Sequence, residues 1–328
     1  MLKNTACLIT LLLFSLSGSL PITHASRPLN QDIGFDPDKT YSIEQLREDF
    51  ALLRTALEEG HAGLYFYSSK EEMDGHFASV AARLNRTMTE PEFHRHVARL
   101  IARINDGHTG VRSSAAYERH LSSRPYLFPF NLRFVHGKAY LFRNYSEDTD
   151  LKMGGEVLAI DDRPMPEILE HMFEYIPSDG RIETSKYRRL ESTEYFSGLY
   201  SLLFGMTTYF EVDYAAPEDG SRSKITAKGL RSGPLNQVFR GRYPDAAKSL
   251  PPMETDYQGD TAVLTIRTFS DGPYRSAGMS YPSALSKTFK EFAEKSVKFL
   301  IVDLRENGGG ADMNGKLLVS YLLDEPYM

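Results

Sequence analysis

The strongest constraint on the fold is an apolar run that leads into three consecutive glycines. Residues 299–304 read Phe-Leu-Ile-Val-Asp-Leu, and Gly308, Gly309 and Gly310 follow. A strand that is apolar at consecutive positions is typical of a parallel sheet covered on both faces by helices. The glycines allow a sharp turn with free amides at a helix start, where a phosphate or an acyl-transfer oxyanion can bind. A tight turn with no ligand is the alternative interpretation.

The same turn partly matches a nucleotide-binding P-loop. Residues 310–316 carry both end glycines and the lysine of that motif, but Leu317 stands where Ser or Thr would hold magnesium. Asp312 would also repel a phosphate. We therefore place nucleotide binding behind the other interpretations.

The first 25 residues differ in kind from the rest. Lys3 supplies a positive charge, residues 6–16 form a short apolar run, and residues 23–25 (Thr-His-Ala) offer small side chains at the positions that signal peptidase recognises. This layout predicts a cleaved secretory signal, with a buried N-terminal helix as the alternative. Cys7, the single cysteine, lies inside it, so disulfides, thiol catalysis and cysteine metal sites are excluded from the mature protein. We expect an exported bacterial protein, periplasmic or secreted.

Composition excludes several other classes of protein. The 328 residues are 41% hydrophobic and 25% charged, as in folded soluble domains. The 38 basic and 44 acidic residues give a net charge of -6 without a basic block, so we expect no nucleic-acid partner. No apolar run reaches the roughly 18 residues of a membrane helix, so no integral membrane segment is expected after signal cleavage.

The patterning predicts an α+β multidomain chain that begins with helices. Residues 26–40 are polar and proline-containing, as in a linker, and residues 41–108 predict three amphipathic helices packed as a small domain. The first and third helices open with capping boxes, Ser42 with Gln45 and Thr89 with Glu92.

The remaining chain predicts a β-rich region and then an α/β section. Residues 109–228 contain short alternating strands, including a hairpin at His136-Gly137. Residues 229–255 lack periodicity and are interpreted as a linker or a long loop. Residues 256–328 alternate strand and helix patterns, as in an incomplete α/β core.

A histidine between two glycines is the second candidate for chemistry. His108 follows the predicted end of the third helix, in the segment Asn-Asp-Gly-His-Thr-Gly of residues 105–110. A histidine held in such a turn can reach a cleft and act as a general base. A hydrogen-bonded core histidine in a capping turn is the alternative.

Two further histidines lie on the third predicted helix. His94 and His96 are two residues apart, and so about 200° apart around the helix axis, which prevents them from sharing a metal. We expect both on a solvated face, and the sequence predicts no metal site.

The order of these motifs resembles the tail-specific, or carboxy-terminal-processing, family of serine peptidases, which includes the tricorn core. The resemblance spans about residues 41–328, and its most specific element is Asp-Leu-Arg-Glu-Asn-Gly-Gly-Gly at residues 303–310. Residues 106–109 (Asp-Gly-His-Thr), 155–160 (Gly-Glu-Val-Leu-Ala-Ile) and 263–269 (Val-Leu-Thr-Ile-Arg-Thr-Phe) also match.

The resemblance implies roles for the candidate residues. The amide of Gly309 would form half of an oxyanion hole, with Gly308 and Gly310 beside the substrate. His108 would take the proton from the nucleophile, although members with a Ser-Lys dyad do not need it. Residues 155–162 would belong to a PDZ-like module that holds a substrate tail, and residues 256–328 would begin a crotonase-like catalytic core. No metal or organic cofactor is implied.

One departure from the family concerns the nucleophile. In the family, the catalytic serine opens a helix one strand beyond the helix that follows the glycine turn. The sequence ends at Met328, so the nucleophile lies in none of its residues. Covalent acyl transfer cannot run without it. We expect a fragment of a longer enzyme or a truncated inactive relative; an exposed apolar edge beside residues 299–304 favours the fragment.

Two functions remain from different classes. The leading one is an exported serine peptidase that hydrolyses peptide bonds through an acyl-enzyme and acts on proteins or peptides; the chain as given would be inactive. The alternative is a non-catalytic relative of the same fold that binds peptides or lipids.

Overall fold

The computed structural model describes residues 10–13 and 34–323. The predicted signal segment, residues 1–25, lies outside the described residues except for the backbone of residues 10–13. The linker predicted over residues 26–40 is described from residue 34 onward. In the described ranges, no helix combines the length and apolar character needed to cross a bilayer.

The chain divides into two compact units, Met1–Tyr243 and Pro244–Met328. The division falls inside the segment predicted as a linker, residues 229–255. The boundary predicted after residue 108 lies within the first unit, where the helices and the β-rich region belong together. The mixed α/β character predicted from the sequence is confirmed.

Helices open the first unit and bury one apolar face each. The elements up to residue 122 are β1 (Thr10–Leu13), β2 (Thr40–Tyr41), α1 (Ile43–Gly60), α2 (Lys70–Arg83), β3 (Met88–Thr89), α3 (Glu90–Ala102), β4 (Thr109–Arg112) and α4 (Ala115–Ser122). The side chains of Ser42 and Ser69 each accept an amide proton at 3.2 Å, which fixes the first turns of α1 and α2. The shared core includes Leu46, Leu57, Met73, Phe77, Phe93 and Val97. The three predicted helices are confirmed.

An antiparallel sheet with three helices follows in the first unit. Its elements are β5 (Phe130–Val135), β6 (Lys138–Asn144), β7 (Glu156–Ile160), β8 (Arg163–Pro164), α5 (Met165–Phe173), α6 (Thr184–Leu190), α7 (Thr193–Phe204), β9 (Tyr209–Ala215) and β10 (Arg222–Lys228). The strand order is β10-β9-β7-β6-β5, with β8 paired to β7. The predicted hairpin is confirmed, because His136 and Gly137 have φ of 49° and 78° and join β5 to β6.

Residues 229–255 are predicted as a linker or a long loop, but part of this segment is regular structure. Residues Ser232–Arg242 form the helix α8, and Leu230 exchanges backbone hydrogen bonds with Leu127 at 3.0 Å in both directions. Leu235 packs with Leu127 and Tyr145 in a small core of its own. These contacts come from distant parts of the chain, so local periodicity could not reveal them.

The second unit is a three-stranded sheet with helices. Its elements are β11 (Met253–Gln258), β12 (Thr261–Ile266), α9 (Asp271–Ser276), α10 (Tyr281–Glu294), β13 (Phe299–Asp303) and α11 (Asp312–Ser320). Strand β12 pairs antiparallel with β11 and parallel with β13, and α10 provides the crossover. The core includes Leu264, Ile266, Tyr274, Tyr281, Leu285 and Leu318.

Strand β13 is buried on one face only, and the prediction that both faces are covered is wrong. Phe299 and Ile301 are 62% and 54% exposed, whereas Leu300 and Val302 pack against the core. Helices α10 and α11 contribute buried side chains to the core on the face of Leu300 and Val302, and no described helix buries Phe299 or Ile301 on the opposite face. Strand β13 also lies at the edge of the described sheet, where β12 is its single partner. The apolar edge expected at residues 299–304 is thus present.

Candidate functional site

The turn that carries His108 begins where α3 ends. Asn105 has a φ of 58°, a left-handed conformation that short polar side chains tolerate. Its carbonyl accepts the Gly180 N–H at 2.9 Å, which ties the turn to a loop of the sheet region. The chain therefore reverses at Asn105, as the sequence predicts, and brings His108 directly before β4.

Two carboxylates hold the backbone of this turn. Asp106 Oδ1 accepts the N–H of His108, and Asp179 Oδ1 accepts the N–H of Gly107, each at 2.8 Å. The Arg189 guanidinium donates to the carbonyl of Gly107 at 2.5 Å. Charge-assisted hydrogen bonds of this kind are stronger than neutral ones. The backbone next to His108 is thus fixed by side chains as well as by its own turn.

A histidine with a buried side chain contacts both Asp106 and Thr109. The side chain of His61 is 4% exposed, and its Nε2 lies 2.7 Å from Thr109 Oγ1 and 3.2 Å from Asp106 Oδ2. Its Nδ1 accepts the N–H of Gly63 at 3.1 Å, so in the neutral ring the proton is on Nε2. The Thr109 hydroxyl in turn donates to Asp106 Oδ2 at 2.9 Å. His61 was not predicted as a site residue, because nothing in the local sequence pattern marks it.

The network keeps Asp106 ionised. Partial burial raises the pKa of this carboxyl, but the hydrogen bonds from the His108 amide and the Thr109 hydroxyl outweigh burial. The net result is a pKa below the ordinary value of an aspartate. Asp106 is therefore an anion at neutral pH.

The His108 ring is free to meet a ligand. Its side chain is 71% exposed, and Nδ1 lies 3.8 Å from Asp106 Oδ1, just beyond hydrogen-bonding distance. The interpretation of His108 as a hydrogen-bonded core histidine is therefore wrong. An exposed imidazole beside an ionised carboxylate has the arrangement of a general base and its orienting group.

Three of these residues also have the donor types of a metal site. Single ligand atoms of Asp106, His108 and Asp179 lie within 4.8 Å of one another. Both carboxylates already accept hydrogen bonds, and Asp106 does so with both of its oxygens. Their observed contacts are accounted for by the structure of the turn.

His94 does not lie on the solvated face that the sequence predicts. It is 9% exposed, and its Nδ1 lies 3.2 Å from Ser113 Oγ. Strand β4 and helix α7 both pack on α3, so the buried side of α3 is wider than an amphipathic pattern indicates. Burial lowers the pKa of His94 to about 4, so its ring is neutral at pH 7.

The glycine turn of the second unit joins β13 to α11. Gly309 and Gly310 have φ of 90° and 144°, which side chains rarely adopt. A Cβ at Gly310 would lie 2.2 Å from the Ser270 nitrogen, so the close approach of two backbone segments requires glycine there. Phe269 N donates to the Gly309 carbonyl at 2.8 Å and fixes the turn on the end of β12.

The three glycine amides of the turn differ in whether they already donate a hydrogen bond. The Gly309 N–H donates to Asn307 Oδ1 at 2.7 Å, while Asn307 Nδ2 donates to the Ile266 carbonyl at 2.9 Å. The Gly308 and Gly310 amides donate no hydrogen bond to any described residue. The oxyanion role of Gly309 stays a prediction. In this conformation the amides of Gly308 and Gly310 are the ones available to donate to an oxyanion.

The acidic and basic residues of the same motif pair with each other. Arg305 Nη2 lies 2.6 Å from Asp303 Oδ2, and its Nε lies 2.9 Å from Asp303 Oδ1. Hydrogen bonds from Arg305 lower the pKa of Asp303 to about 2. Because Asp303 occupies the Arg305 guanidinium, the glycine amides are the remaining candidate donors for an anion in this motif.

The candidate residues thus form two groups. His61, Asp106, His108, Thr109 and Asp179 meet in the first unit, and Gly308, Gly309 and Gly310 form the turn of the second unit. The first group supplies a proton acceptor, and the second supplies amide donors. Proton transfer and oxyanion stabilisation are the two requirements of acyl-transfer chemistry other than the nucleophile.

Part of the chain matches a known family of peptidases. Residues 260–328 match the model of peptidase family S41. The resemblance to the tail-specific serine peptidases is thereby confirmed for this part of the chain. A comparison with the curated proteins gives no match.

The fold is similar to that of CPAF. The mature CPAF complexed with lactacystin matches with a TM-score of 0.52 and 14% identity, over 83% of this chain and 58% of that chain. A serine-to-alanine mutant of CPAF gives a TM-score of 0.53 at 14% identity, over 83% and 57% of the two chains. At this identity the likeness concerns the fold alone, and the chain spans little more than half the length of these solved structures.

Proposed function

We propose that the chain is part of an exported serine-type peptidase that hydrolyses peptide bonds through an acyl-enzyme. The observation that carries the proposal is the exposed ring of His108 beside ionised Asp106, on a turn fixed by side-chain hydrogen bonds. The match of residues 260–328 to a serine peptidase family supplies the reaction class.

His108 serves as the general base. It takes the proton of the serine hydroxyl as the serine oxygen attacks the peptide carbonyl, and it gives that proton to the departing amine. Water then hydrolyses the acyl-enzyme by the same proton route. Asp106, 3.8 Å from Nδ1, stabilises the imidazolium that forms in between. We place the serine outside the 328 residues, as the family resemblance implies.

The glycine turn stabilises the oxyanion. The amides of Gly308 and Gly310 are available, and rotation of the Asn307 side chain would release the Gly309 amide as a third donor. Loss of one such donor typically costs about 100- to 1000-fold in kcat. Residues 256–328 would then begin a crotonase-like core.

The substrate is a protein or peptide held by the β-rich region. Its PDZ-like assignment rests on residues 155–162, which include the whole of β7. Strand β7 is paired with β6 and β9, and β5 and β10 end the strand order of the described sheet, so we expect an added peptide strand to pair at β5 or β10. The expected tail-binding groove lies along one of those two strands.

The test compares two exposed histidines in the natural full-length protein. His108→Asn removes the base, and His136→Asn removes a histidine from the exposed hairpin turn at a left-handed position that asparagine also tolerates. Hydrolysis of a fluorogenic peptide and covalent labelling by a fluorophosphonate are measured for both. We expect kcat/KM and the labelling rate to fall by about 100- to 10,000-fold for His108→Asn only.

Equal activity of the two variants would refute the role of His108. A natural protein that binds peptides without hydrolysis or labelling would instead support a non-catalytic binding protein. Intact mass and a C-terminal peptide map of the natural protein show whether it extends past Met328 to a serine.

A further inference from the structure

A basic cavity lies between helices α2 and α3, in the first unit. It has a volume of about 330 Å³, and the side chains that line it include His76, Arg83, Arg95, His96, Arg99 and Arg103. No described aspartate or glutamate is among its lining residues. Four guanidinium groups therefore share one small cavity without an acidic residue in its wall.

The spacing of the arginines follows the helices. Arg95, Arg99 and Arg103 recur every fourth residue and so lie on one face of α3 and its end, while Arg83 ends α2. Cations near a helix C-terminus are stabilised by the helix dipole, which accounts for Arg83 and Arg99 in part. Like charges four residues apart on a helix repel each other, however. The helix itself therefore does not explain why three arginines share one face.

Two of the arginines are fixed and two are available. Arg99 donates to Glu174 Oε1 at 2.8 Å, and Arg95 donates to the carbonyl of Leu202 at 2.9 Å. The guanidinium groups of Arg83 and Arg103 make no hydrogen bond or ion pair with any described residue. The fixed pair shapes the cavity, and the available pair leaves about ten N–H bonds for a ligand or water.

The positive charge of the arginines also affects the two histidines of the cavity, His76 and His96. Burial lowers the pKa of His76, and the charge of Arg103 lowers it further. Burial also lowers the pKa of His96, with further lowering by Arg83 and Arg95. Both rings are neutral at pH 7, so they add neutral hydrogen-bonding groups to a cavity whose charge comes from arginine.

We propose that this cavity binds a phosphate group, free or on a small organic molecule. Guanidinium groups bind phosphate through paired N–H bonds, and a tetrahedral dianion can accept from more than two of them at once. A carboxylate has only two oxygens and one charge, so it satisfies fewer of the four arginines. The volume is at the small end of ligand sites, which suits a compact anion. The proposal does not depend on peptidase activity.

The test is calorimetric titration of the natural full-length protein with inorganic phosphate, pyrophosphate and glycerol 2-phosphate at 0.15 M salt. Arg83→Gln and Arg103→Gln remove one available guanidinium each. Arg222→Gln, at an exposed position of β10, is the matched control for loss of one positive charge. We expect at least tenfold weaker binding for each cavity variant and no change for the control. Preference for the free anions or for the ester identifies the source of the phosphate.

A second readout separates binding from folding. Pyrophosphate should raise Tm of the wild type and of Arg222→Gln, and it should leave Tm of the two cavity variants unchanged. Far-UV circular dichroism confirms that all variants are folded. Absence of saturable binding, an equal loss in the control, or equally tight binding of succinate would overturn the proposal.

Discussion

Acid should destabilise the first unit through His94. The ring is 9% exposed on α3, and burial lowers its pKa from 6.5 to about 4. In the unfolded chain the same ring titrates near the ordinary value, about 6.5. Between these two pH values the unfolded chain therefore binds a proton that the folded chain does not.

The magnitude follows from the two pKa values. A difference of 6.5 − 4 = 2.5 units corresponds to about 3 kcal/mol, at about 1.4 kcal/mol per unit. The contribution of neutral His94 to stability is complete above pH 6.5. It decreases as the pH falls and is fully lost below pH 4.

The assay compares wild type with His94→Asn. Asparagine is chosen because it keeps a polar atom near the position of His94 Nδ1, within reach of the Ser113 hydroxyl, but does not titrate. The free energy of unfolding is measured in urea from pH 8 to pH 4, with hydrogen exchange of α3 peptides to follow this unit. His76, His96 and His120 also have lowered pKa values, but they occur in both proteins and cancel in the difference. The variant should lose about 3 kcal/mol less than wild type over this range.

Two results would refute this reasoning. One is an NMR titration of His94 with a midpoint near pH 6.5, which would mean that burial does not shift the ring. The other is an identical pH dependence of unfolding in the two proteins, which would place the acid sensitivity elsewhere.

Three further perturbations test the described contacts. Gly310→Ala should lower the free energy of unfolding of the second unit, measured by urea denaturation, by about 3 kcal/mol, because the new side chain meets a positive φ and a backbone clash. Gly308→Ala is the control: its Cβ enters open space, so its free energy of unfolding should stay within about 0.5 kcal/mol of the wild-type value. Thr109→Val should cost about 1 to 3 kcal/mol in the same assay, because Asp106 loses the buried Thr109 hydroxyl. Ile301→Lys should reduce concentration-dependent association in sedimentation, since it places a charge on an exposed apolar edge; unchanged association would contradict this.

Local signals predicted much of the fold. Helices α1, α2 and α3 carry capping residues and one apolar face, so their positions follow from neighbours three and four residues apart. The hairpin at His136-Gly137 follows from residues that accept positive φ. The helix α8 was missed because its stability comes from Leu235 packing against residues about 100 positions earlier.

The candidate site was predicted in part for the same reason. His108 is marked by glycines on both sides, and the glycine turn is marked by its composition. His61 and Asp179 reach the turn from 48 and 72 residues away, and neither has a distinctive neighbourhood in the sequence. The prediction that both faces of β13 are buried was wrong because an apolar pattern does not show whether another element covers each face of the strand.

The pairing of β7 with β9 governs the order in which the first unit folds. Helices α1 to α3 contact their neighbours in sequence, whereas β7 ends at Ile160 and its partner β9 begins only at Tyr209, after three helices. Closing that long segment costs chain entropy before the sheet gains any contact, so it slows folding. Pulse-labelling during refolding should therefore protect the amides of α1 to α3 first and those of β9 and β10 last. A nascent chain would hold the His61 and His108 elements before the strands that complete the sheet.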